Sequence, residues 1–277
     1  MFTIAQITDL HVTSSDDPLN QVRNADRLRQ TLASIAAMRP LPVAIIATGD
    51  LVDRGTIEEY AALKAILIEL DLPIYLGVGN HDHRLSALSQ FSAPKIESDP
   101  NGFIQYALEL EDYRIIMCDT LDEGRETGQF CEQRAAWLHQ ALLDRPNTPT
   151  LIALHHPPIQ SGIKWMDPDP SAQWIVRLDQ TLRRHSQVRA ITSGHLHRAY
   201  VGRFASTLVT VSPATSIQLT LDLTDVDMRV PDGREILTEE PPGFMIHMFD
   251  AGEITSHFCL AGPWPSAVNY MHSFVKP

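Results

Sequence analysis

Residues 2–11 read FTIAQITDLH, an apolar, strand-like run that leads directly into Asp9-Leu10-His11. The same arrangement returns near the other end of the chain, where AITSG (residues 190–194) leads into His195-Leu196-His197. In both places two side chains that can bind a metal stand at positions i and i+2, and in an extended segment such side chains point to the same side. The two runs therefore predict strands that end in metal ligands.

Three further apolar runs end in the same way. Asp50 follows VAIIATG, Asn80-His81 follows IYLGVG, and His155-His156 follows LIAL. In open α/β sheets ligands bind beyond the carboxyl ends of the strands, so five such ends can converge in space. Glycines stand directly before three of the clusters and permit a sharp exit from the strand. They are Gly49, Gly79 and Gly194.

Strand-like and helical patterns alternate through the first two-thirds of the chain. Strands are predicted at about 2–8, 43–48, 73–78, 150–154 and 188–192, helices at about 21–38, 57–70, 131–144 and 172–185, and a hairpin at 103–110 and 114–120. Short strands follow at about 199–204, 207–212, 216–221, 244–250 and 253–258. The pattern predicts an α/β fold in which two sheets pack face to face as a sandwich with helices outside.

The domain organisation expected from this pattern is a catalytic domain at 1–220 and a C-terminal extension at 221–277 that completes the second sheet. Within the extension, residues 222–242 are acidic and rich in proline. Three interpretations of that stretch stay open: a cap over the site, a contact with another subunit, or a solvated loop.

Composition narrows the classes of function. The chain has 277 residues, 44% of them hydrophobic, and a formal net charge of -12. A negative field of that size disfavours nucleic-acid polymers as partners. No apolar stretch approaches the roughly 18 residues of a membrane helix, and a cleaved signal peptide would delete the first strand. The three widely spaced cysteines, Cys118, Cys131 and Cys259, are typical of reduced thiols. We expect a cytoplasmic protein.

The donor types favour transition metals. Carboxylate, carboxamide and neutral imidazole suit Zn, Fe, Mn or Co, and so many imidazoles argue against a pure magnesium or calcium site. Each cluster alone has an ordinary explanation: a surface pair for Asp9 and His11, a cap for Asp50, a turn for Gly79-Asn80, and a buried histidine with a backbone partner for His155. All five in one chain favour a two-metal site.

The order D-x-H, G-D, G-N-H-D, H, G-H-x-H between Asp9 and His197 resembles the calcineurin-like metallophosphoesterase family. The resemblance implies a four-layer α/β/β/α fold and two metal ions from Fe, Mn, Zn or Co. The implied ligands of the first metal are Asp9, His11, Asp50 and His197. Those of the second are Asp50, which bridges, with Asn80, His155 and His195. His81 is implied to contact the phosphoryl group.

Secondary motifs resemble one branch of that family, the class III cyclic-nucleotide phosphodiesterases and glycerophosphodiesterases. They are His155-His156-Pro157-Pro158, Gly162, Met166-Asp167-Pro168 and Ala261-Gly262-Pro263-Trp264. The branch implies a metal-dependent hydrolase of small phosphodiesters, of glycerophosphodiester or 3',5'-cyclic nucleotide type, and often a homo-oligomer. The implied reaction is in-line attack of a metal-bound hydroxide, with His81 stabilising the transition state or protonating the leaving alkoxide. His83 and His156, beside motif residues, are candidate substrate-binding residues.

Three other functions stay open. Residues 49–55, GDLVDRG, resemble a motif of serine/threonine phosphatases, although Val12 and Asp82 depart from that group's D-x-H-G and G-N-H-E patterns. A DNA nuclease of the same superfamily is disfavoured by the negative charge. A non-catalytic scaffold is expected to have lost ligands, whereas here each expected position is filled.

Overall fold

The computed structural model describes residues 1–14, 23–227, 229–265 and 267–268. The strands are β1 (Phe2–Ile7), β2 (Ala44–Thr48), β3 (Ile74–Gly77), β4 (Tyr106–Leu110), β5 (Tyr113–Cys118), β6 (Thr150–Leu154), β7 (Val188–Ser193), β8 (Tyr200–Phe204), β9 (Thr207–Val211), β10 (Gln218–Leu219), β11 (Leu237–Thr238), β12 (Gly243–Asp250) and β13 (Glu253–Leu260). The helices are α1 (Asn24–Ala36), α2 (Ile57–Leu67), α3 (Arg84–Gln90), α4 (Glu132–Leu143) and α5 (Gln173–Leu182).

Two mixed sheets form the centre of the fold. The first has the order β13-β12-β1-β2-β3 and the second has the order β4-β5-β6-β7-β9-β8. The strands β1, β2 and β3 run parallel, as do β5, β6, β7 and β9. A short antiparallel ribbon joins β10 to β11. The carboxyl ends of the parallel strands, where the donor clusters follow, are therefore held side by side within each sheet.

Alternation along the strands builds the layers. In β5, Ile115 and Met117 belong to the large apolar core shared with the first sheet. Ile116 and Cys118 face the other way and pack with the side chains of α4 and α5. Successive strand residues point to opposite faces, so the second sheet is covered on both sides. The prediction of two face-to-face sheets flanked by helices is confirmed.

Local signals set several of the boundaries. Helix α2 begins at a capping box, in which the Thr56 side chain accepts from the backbone N–H of Glu59. Helix α1 begins at Asn24 and ends at Ala36, inside the predicted 21–38, of which residues 21 and 22 lie outside the described part. Helix α3 was not predicted because its seven residues, RLSALSQ, give only a short apolar pattern. Among the described residues, no helix is long and apolar enough to cross a bilayer.

The C-terminal strands join the sheet that contains β1. Strand β12 pairs antiparallel with β1, from Phe2 opposite Phe249 to Gln6 opposite Met245. It covers the open edge of β1, where its almost wholly apolar sequence becomes buried. The expected strand at 216–221 is reduced to β10. The division into domains at 220/221 stays a prediction.

A buried polar hub ties the two sheets together below the donor clusters. The Gln6 side-chain amide donates to Thr48 Oγ1 (2.8 Å) and to the Ser193 carbonyl (3.1 Å). Its Oε1 accepts from the Thr192 hydroxyl (2.5 Å) and from His247 Nε2 (2.9 Å). All five residues are buried. Because unpaired buried polar groups are costly, these bonds fix how β1, β2, β7 and β12 sit relative to one another.

We expect His247 to make stability fall in mild acid. Burial lowers the pKa of His247 to about 3, whereas an unfolded histidine binds its proton near pH ~6.5. The unfolded state therefore takes up a proton first as the pH falls, and stability is lost below about pH 6.5 at roughly 1.4 kcal/mol per pH unit. Between pH 7 and pH 5 the His247→Gln variant should lose about 2 kcal/mol less than the parent in urea unfolding.

The control is His257→Gln, which changes an exposed histidine on the neighbouring strand β13. That variant should keep most of the parent's pH dependence, because burial is the main cause of the lowered pKa of His247 and the neighbouring His257 lowers it less. An unchanged pH dependence in His247→Gln would contradict the account of His247 as a buried neutral imidazole.

Candidate metal centre

The donor clusters meet at one edge of the sandwich. In the first sheet they follow β1, β2 and β3, and in the second they follow β6 and β7. The structure brings together all seven residues for which a ligand role was predicted: Asp9, His11, Asp50, Asn80, His155, His195 and His197. Their separation in sequence is spanned because both sheets present the same ends of their parallel strands there.

One group of donors lies around His11. The Nε2 atoms of His11 and His197 are 3.1 Å apart. His197 Nε2 lies 3.4 Å from Asp9 Oδ1, and His11 Nε2 lies 3.6 Å from Asp50 Oδ2. Two carboxyl groups and two imidazoles thus face one small volume.

A second group lies on the other side of Asp50. His155 Nε2 is 3.3 Å from Asp50 Oδ2 and 3.1 Å from Asn80 Oδ1. The ring of His195 packs beside that of His155, with centroids 5.2 Å apart. The same Asp50 oxygen faces His11 in one group and His155 in the other, so this carboxyl group is common to both.

Hydrogen bonds at the outer ring nitrogens decide which atom each imidazole presents. His155 Nδ1 donates to the Thr48 carbonyl (2.8 Å), and His197 Nδ1 donates to the Ile217 carbonyl (2.7 Å). A carbonyl only accepts, so Nδ1 carries a hydrogen and Nε2 is the atom left to bind a cation. In both residues Nε2 faces the shared volume, which is the arrangement that metal-binding histidines require.

The main chain turns sharply at the ends of the strands. Residues Asp9, His11, Asp50, His195 and His197 have φ between 43° and 72°. L-residues seldom adopt this left-handed region, and such strain concentrates at functional sites. The strain shows that the surrounding hydrogen bonds and packing hold these five side chains in place.

Glycines make room for the crowding. At Gly49 φ is 96°, and a Cβ there would lie 2.6 Å from His155 Nδ1. A Cβ at Gly194 would lie 2.7 Å from Asp9 Oδ2. Only Gly49 has the positive φ that a sharp exit suggests; Gly79 and Gly194 are needed for space instead.

Buried charge dominates the electrostatics. Burial opposes the ionisation of Asp50, but the His155 and His11 imidazoles hold the pKa of this carboxyl well below its usual range. Burial likewise opposes a charge on His155, and Asp50 nevertheless raises its pKa to about 9. Asp50 is 2% exposed and Asp9 0%. A cation that binds beside Asp50 would displace the proton that this pKa places on His155 Nε2. Two carboxyl groups removed from water beside imidazole nitrogens form a donor set that fits divalent or trivalent cations.

His81 stands at the rim of the centre with its side chain 39% exposed. Its Nδ1 donates to the Asp53 carbonyl (2.7 Å), which leaves Nε2 as the atom that can act on a ligand. The His81 ring packs edge-on against His11, with centroids 4.5 Å apart. The Asp53 carboxylate is 3.4 Å from His11 Nδ1, so Asp53 contacts both imidazoles.

The two candidate substrate-binding histidines differ. His156 lines the cavity above the centre; its Nδ1 pairs with Thr120 Oγ1 (2.8 Å) and its ring lies 4.7 Å from that of His195. His83 instead caps helix α3, where its side chain accepts from the backbone N–H of Ser86. The structure therefore brings His156 to the centre and leaves His83 outside the residues that line the cavity.

Comparisons with known proteins agree with this geometry. The family model described as calcineurin-like phosphoesterase matches residues 2–199. A probable glycerophosphodiester phosphodiesterase from Arcobacter nitrofigilis is 30% identical over 270 residues, covering 95% of this chain and 96% of that protein. A probable cyclic nucleotide phosphodiesterase from Rhodopseudomonas palustris is 31% identical over 260 residues, covering 91% and 90%. The predicted class of enzyme, a phosphodiesterase of this family, is confirmed.

Among solved structures, the fold is similar to that of a dimetal phosphatase from Danio rerio, with a TM-score of 0.63 and 16% sequence identity. The match covers 94% of this chain and 99% of that one. At this identity the likeness concerns the fold, and it agrees with the two-sheet architecture.

Asp82 and Tyr60 support the centre without belonging to it. The buried Asp82 Oδ2 accepts from the backbone N–H of Gly79 (2.8 Å) and of Leu51 (3.2 Å), while Oδ1 accepts from the Tyr60 hydroxyl (2.8 Å). These bonds join the loop that carries Asp50 to the loop that carries Asn80. Tyr60 was not predicted to take part because it lies on a separate helix, α2.

We expect Tyr60→Phe to weaken metal binding. The change removes one of the three hydrogen bonds that hold Asp82, and metal affinity should fall by roughly tenfold, the lower end of what outer hydrogen-bond partners contribute. The measurement is calorimetric titration of the metal-free protein with Mn²⁺ or Zn²⁺. The matched control is Tyr113→Phe, a buried tyrosine whose hydroxyl accepts from Gly252 far from the centre. Equal affinity losses in both variants would show a general packing effect.

Proposed function

The chain belongs to the calcineurin-like phosphoesterase family, and from that premise we propose that it hydrolyses small phosphodiesters with two metal ions. The substrates are of glycerophosphodiester or 3',5'-cyclic nucleotide type, the two kinds named for its relatives. The single observation that carries the proposal is the pair of donor groups that share the Asp50 carboxylate.

The proposed ligands follow from the two groups. The first metal would be held by Asp9, His11, Asp50 and His197. The second would be held by Asp50, Asn80, His155 and His195. The mixture of carboxylate, carboxamide and imidazole suits Fe, Mn, Zn or Co. Which of these ions the protein carries is set by geometry together with their availability.

When bound, the two ions supply Lewis acidity that polarises the phosphoryl oxygens and lowers the pKa of water toward neutrality. The chain supplies position and protons. The seven proposed ligands, by holding the metals, would determine where the phosphorus of the substrate lies. His81 Nε2 faces that position because Nδ1 is held by Asp53. As an imidazolium, with one hydrogen on Nδ1 for the Asp53 carbonyl and one on Nε2, His81 would give the Nε2 proton to the departing alkoxide and be left neutral.

The cavity argues against the two enzymatic alternatives. No lysine or arginine in the described part of the chain lines it, so the dianion of a phosphomonoester or the many charges of DNA would meet no side-chain cation. A diester has a single negative charge that the metals can accept. Since every expected ligand position is filled and the donors face one another, a non-catalytic scaffold is the weaker interpretation. Hydrolysis of bis(p-nitrophenyl) phosphate beside p-nitrophenyl phosphate, a phosphopeptide and a plasmid tests this choice.

Two further expectations belong to the proposal. His156, which lines the cavity, is proposed to contact the substrate. Cytoplasmic location and homo-oligomeric assembly stay predictions from the sequence, to be tested by fractionation and by light scattering.

We expect Asp50→Ala and His81→Ala to separate metal binding from proton transfer. Asp50→Ala removes the shared carboxylate, so metal content and rate should fall together. His81→Ala should keep both metals and lose rate by roughly 10²- to 10⁴-fold, the range for a general acid. Metal content is read by elemental analysis and rate with bis(p-nitrophenyl) phosphate after reconstitution with each metal.

Substrates with different leaving groups test the proton transfer from His81 more directly. Nitrophenolate departs with little help, so the His81→Ala defect should be larger for a diester with an alkyl leaving group. The control, His257→Ala, changes an exposed histidine on β13 and should be fully active. Full activity in His81→Ala with both leaving groups would remove this residue from the mechanism.

A further inference from the structure

The cavity over the metal centre has a volume of about 740 Å³ and is lined by two kinds of side chain. The first kind consists of the donor groups and His81. The second kind is apolar, and we call it the wall: Pro157, Trp165, Met166, Trp174, Leu219 and Leu237. Pockets of this size typically bury most of a ligand's surface and use apolar side chains to do so.

Trp165 and Met166 of the wall lie in a loop that is closed by hydrogen bonds. The Asp167 carboxylate accepts from the backbone N–H and the hydroxyl of Ser161, both at 2.6 Å, and from the N–H of Gly162 (3.0 Å). These bonds close residues 161–167 into a compact turn that displays Trp165 and Met166. A preformed turn lowers the entropy that ligand binding would otherwise cost.

Two other wall residues, Leu219 and Leu237, are connected by hydrogen bonds to the proposed metal ligand His197. Leu237 of β11 pairs with Leu219 of β10, and the N–H of Leu219 donates to the His197 carbonyl (3.1 Å). His197 Nδ1 in turn donates to the Ile217 carbonyl. The ribbon thus places Leu237 at a fixed position relative to the phosphate site. Leu223, on the segment that leads to β11, also lies against Gly162.

Among the described residues, no lysine or arginine side chain lies in the cavity wall. Lys164 is paired with Asp225, and Arg198 is held by the Leu219 carbonyl (2.5 Å) and by Glu240 (2.6 Å). Neither basic side chain lines the cavity. Carboxyl groups do line it: Asp53, Glu126, Asp167 and Asp169. A second negative charge on a substrate would therefore be desolvated beside an apolar surface and carboxylates, which is unfavourable.

We propose that Trp165 and Leu237 determine specificity for the alcohol that stays on phosphorus. Since His81 faces the leaving oxygen, the retained alcohol is the one that extends toward the wall. The wall selects a bulky aromatic or heteroaromatic alcohol without further negative charge. A nucleoside meets that description and glycerol does not. This inference rests on the proposed function and narrows it to one of the two substrate kinds.

The test uses three diesters with the same p-nitrophenolate leaving group. The retained alcohol is methanol, phenol or 4-carboxyphenol, so the first two substrates differ in apolar surface and the last two in charge. For the phenyl diester we expect Trp165→Ala and Leu237→Ala to lower kcat/KM by roughly three- to thirtyfold through KM, as loss of apolar contact does. For the methyl diester kcat/KM should not change. The parent enzyme should prefer the phenyl diester to its carboxylated analogue.

Matched controls exclude a general effect on the fold. Leu208 and Leu237 are both 49% exposed, but Leu208 lies on β9 outside the cavity wall, so Leu208→Ala should leave all three substrates unaffected. Trp264→Ala, at an exposed tryptophan near the C-terminus, serves the same purpose for Trp165. Metal content should equal that of the parent in every variant.

The outcomes separate this inference from the proposed function. If reconstituted parent enzyme cleaves none of the diesters, the proposed function fails. If it cleaves them but the wall variants lose methyl and phenyl diesters equally, or neither, the specificity role is overturned while the function stands. If the carboxylated diester is cleaved as well as the phenyl diester, the claim about charge is wrong.

Discussion

The structure depends on one buried carboxylate that two sheets must share. Asp50 leaves the first sheet after β2, and its Oδ2 lies 3.6 Å from His11 Nε2 of the same sheet and 3.3 Å from His155 Nε2 of the other. Its second oxygen accepts from the His81 backbone N–H. Removing a carboxylate from water costs several kcal/mol unless charge and hydrogen bonds compensate. The two sheets therefore have to meet in one register, since a small slip would leave Asp50 uncompensated.

Directional bonds provide that register where apolar packing alone would tolerate sliding. Ile4 and Ile115 can pack in many ways, but Gln6 cannot bond Thr48, Ser193 and His247 together in more than one arrangement. The hub lies just below the strand ends from which the donors project. Hydrogen-bonding groups buried in this way specify a unique core because each alternative leaves some of them unpaired.

The sequence predicts what is local and repeated. Five apolar runs that end in donors predicted the strands β1, β2, β3, β6 and β7. Together with the alternation of strands and helices they predicted the two-sheet fold and the side chains, from Asp9 to His197, that lie together at its edge. Long-range partners were beyond its reach. Strand β12 pairs with the edge of β1. The residues of an apolar strand do not indicate which of the open sheet edges it will join. Tyr60 contacts Asp82 and Leu237 pairs with Leu219, and nothing in the spacing of those residues indicates such contacts.

The backbone also restricts which chemistry each position can accept. At 155 the ring nitrogen donates to the Thr48 carbonyl, and at 197 it donates to the Ile217 carbonyl. A carboxylate at either position would face that carbonyl with no hydrogen to give, so two acceptors would oppose each other in a buried site. Imidazole avoids this because one nitrogen donates while the other keeps a lone pair. The positions of these two main-chain oxygens, one at the end of β2 and one just before β10, thus favour histidine before any metal is bound.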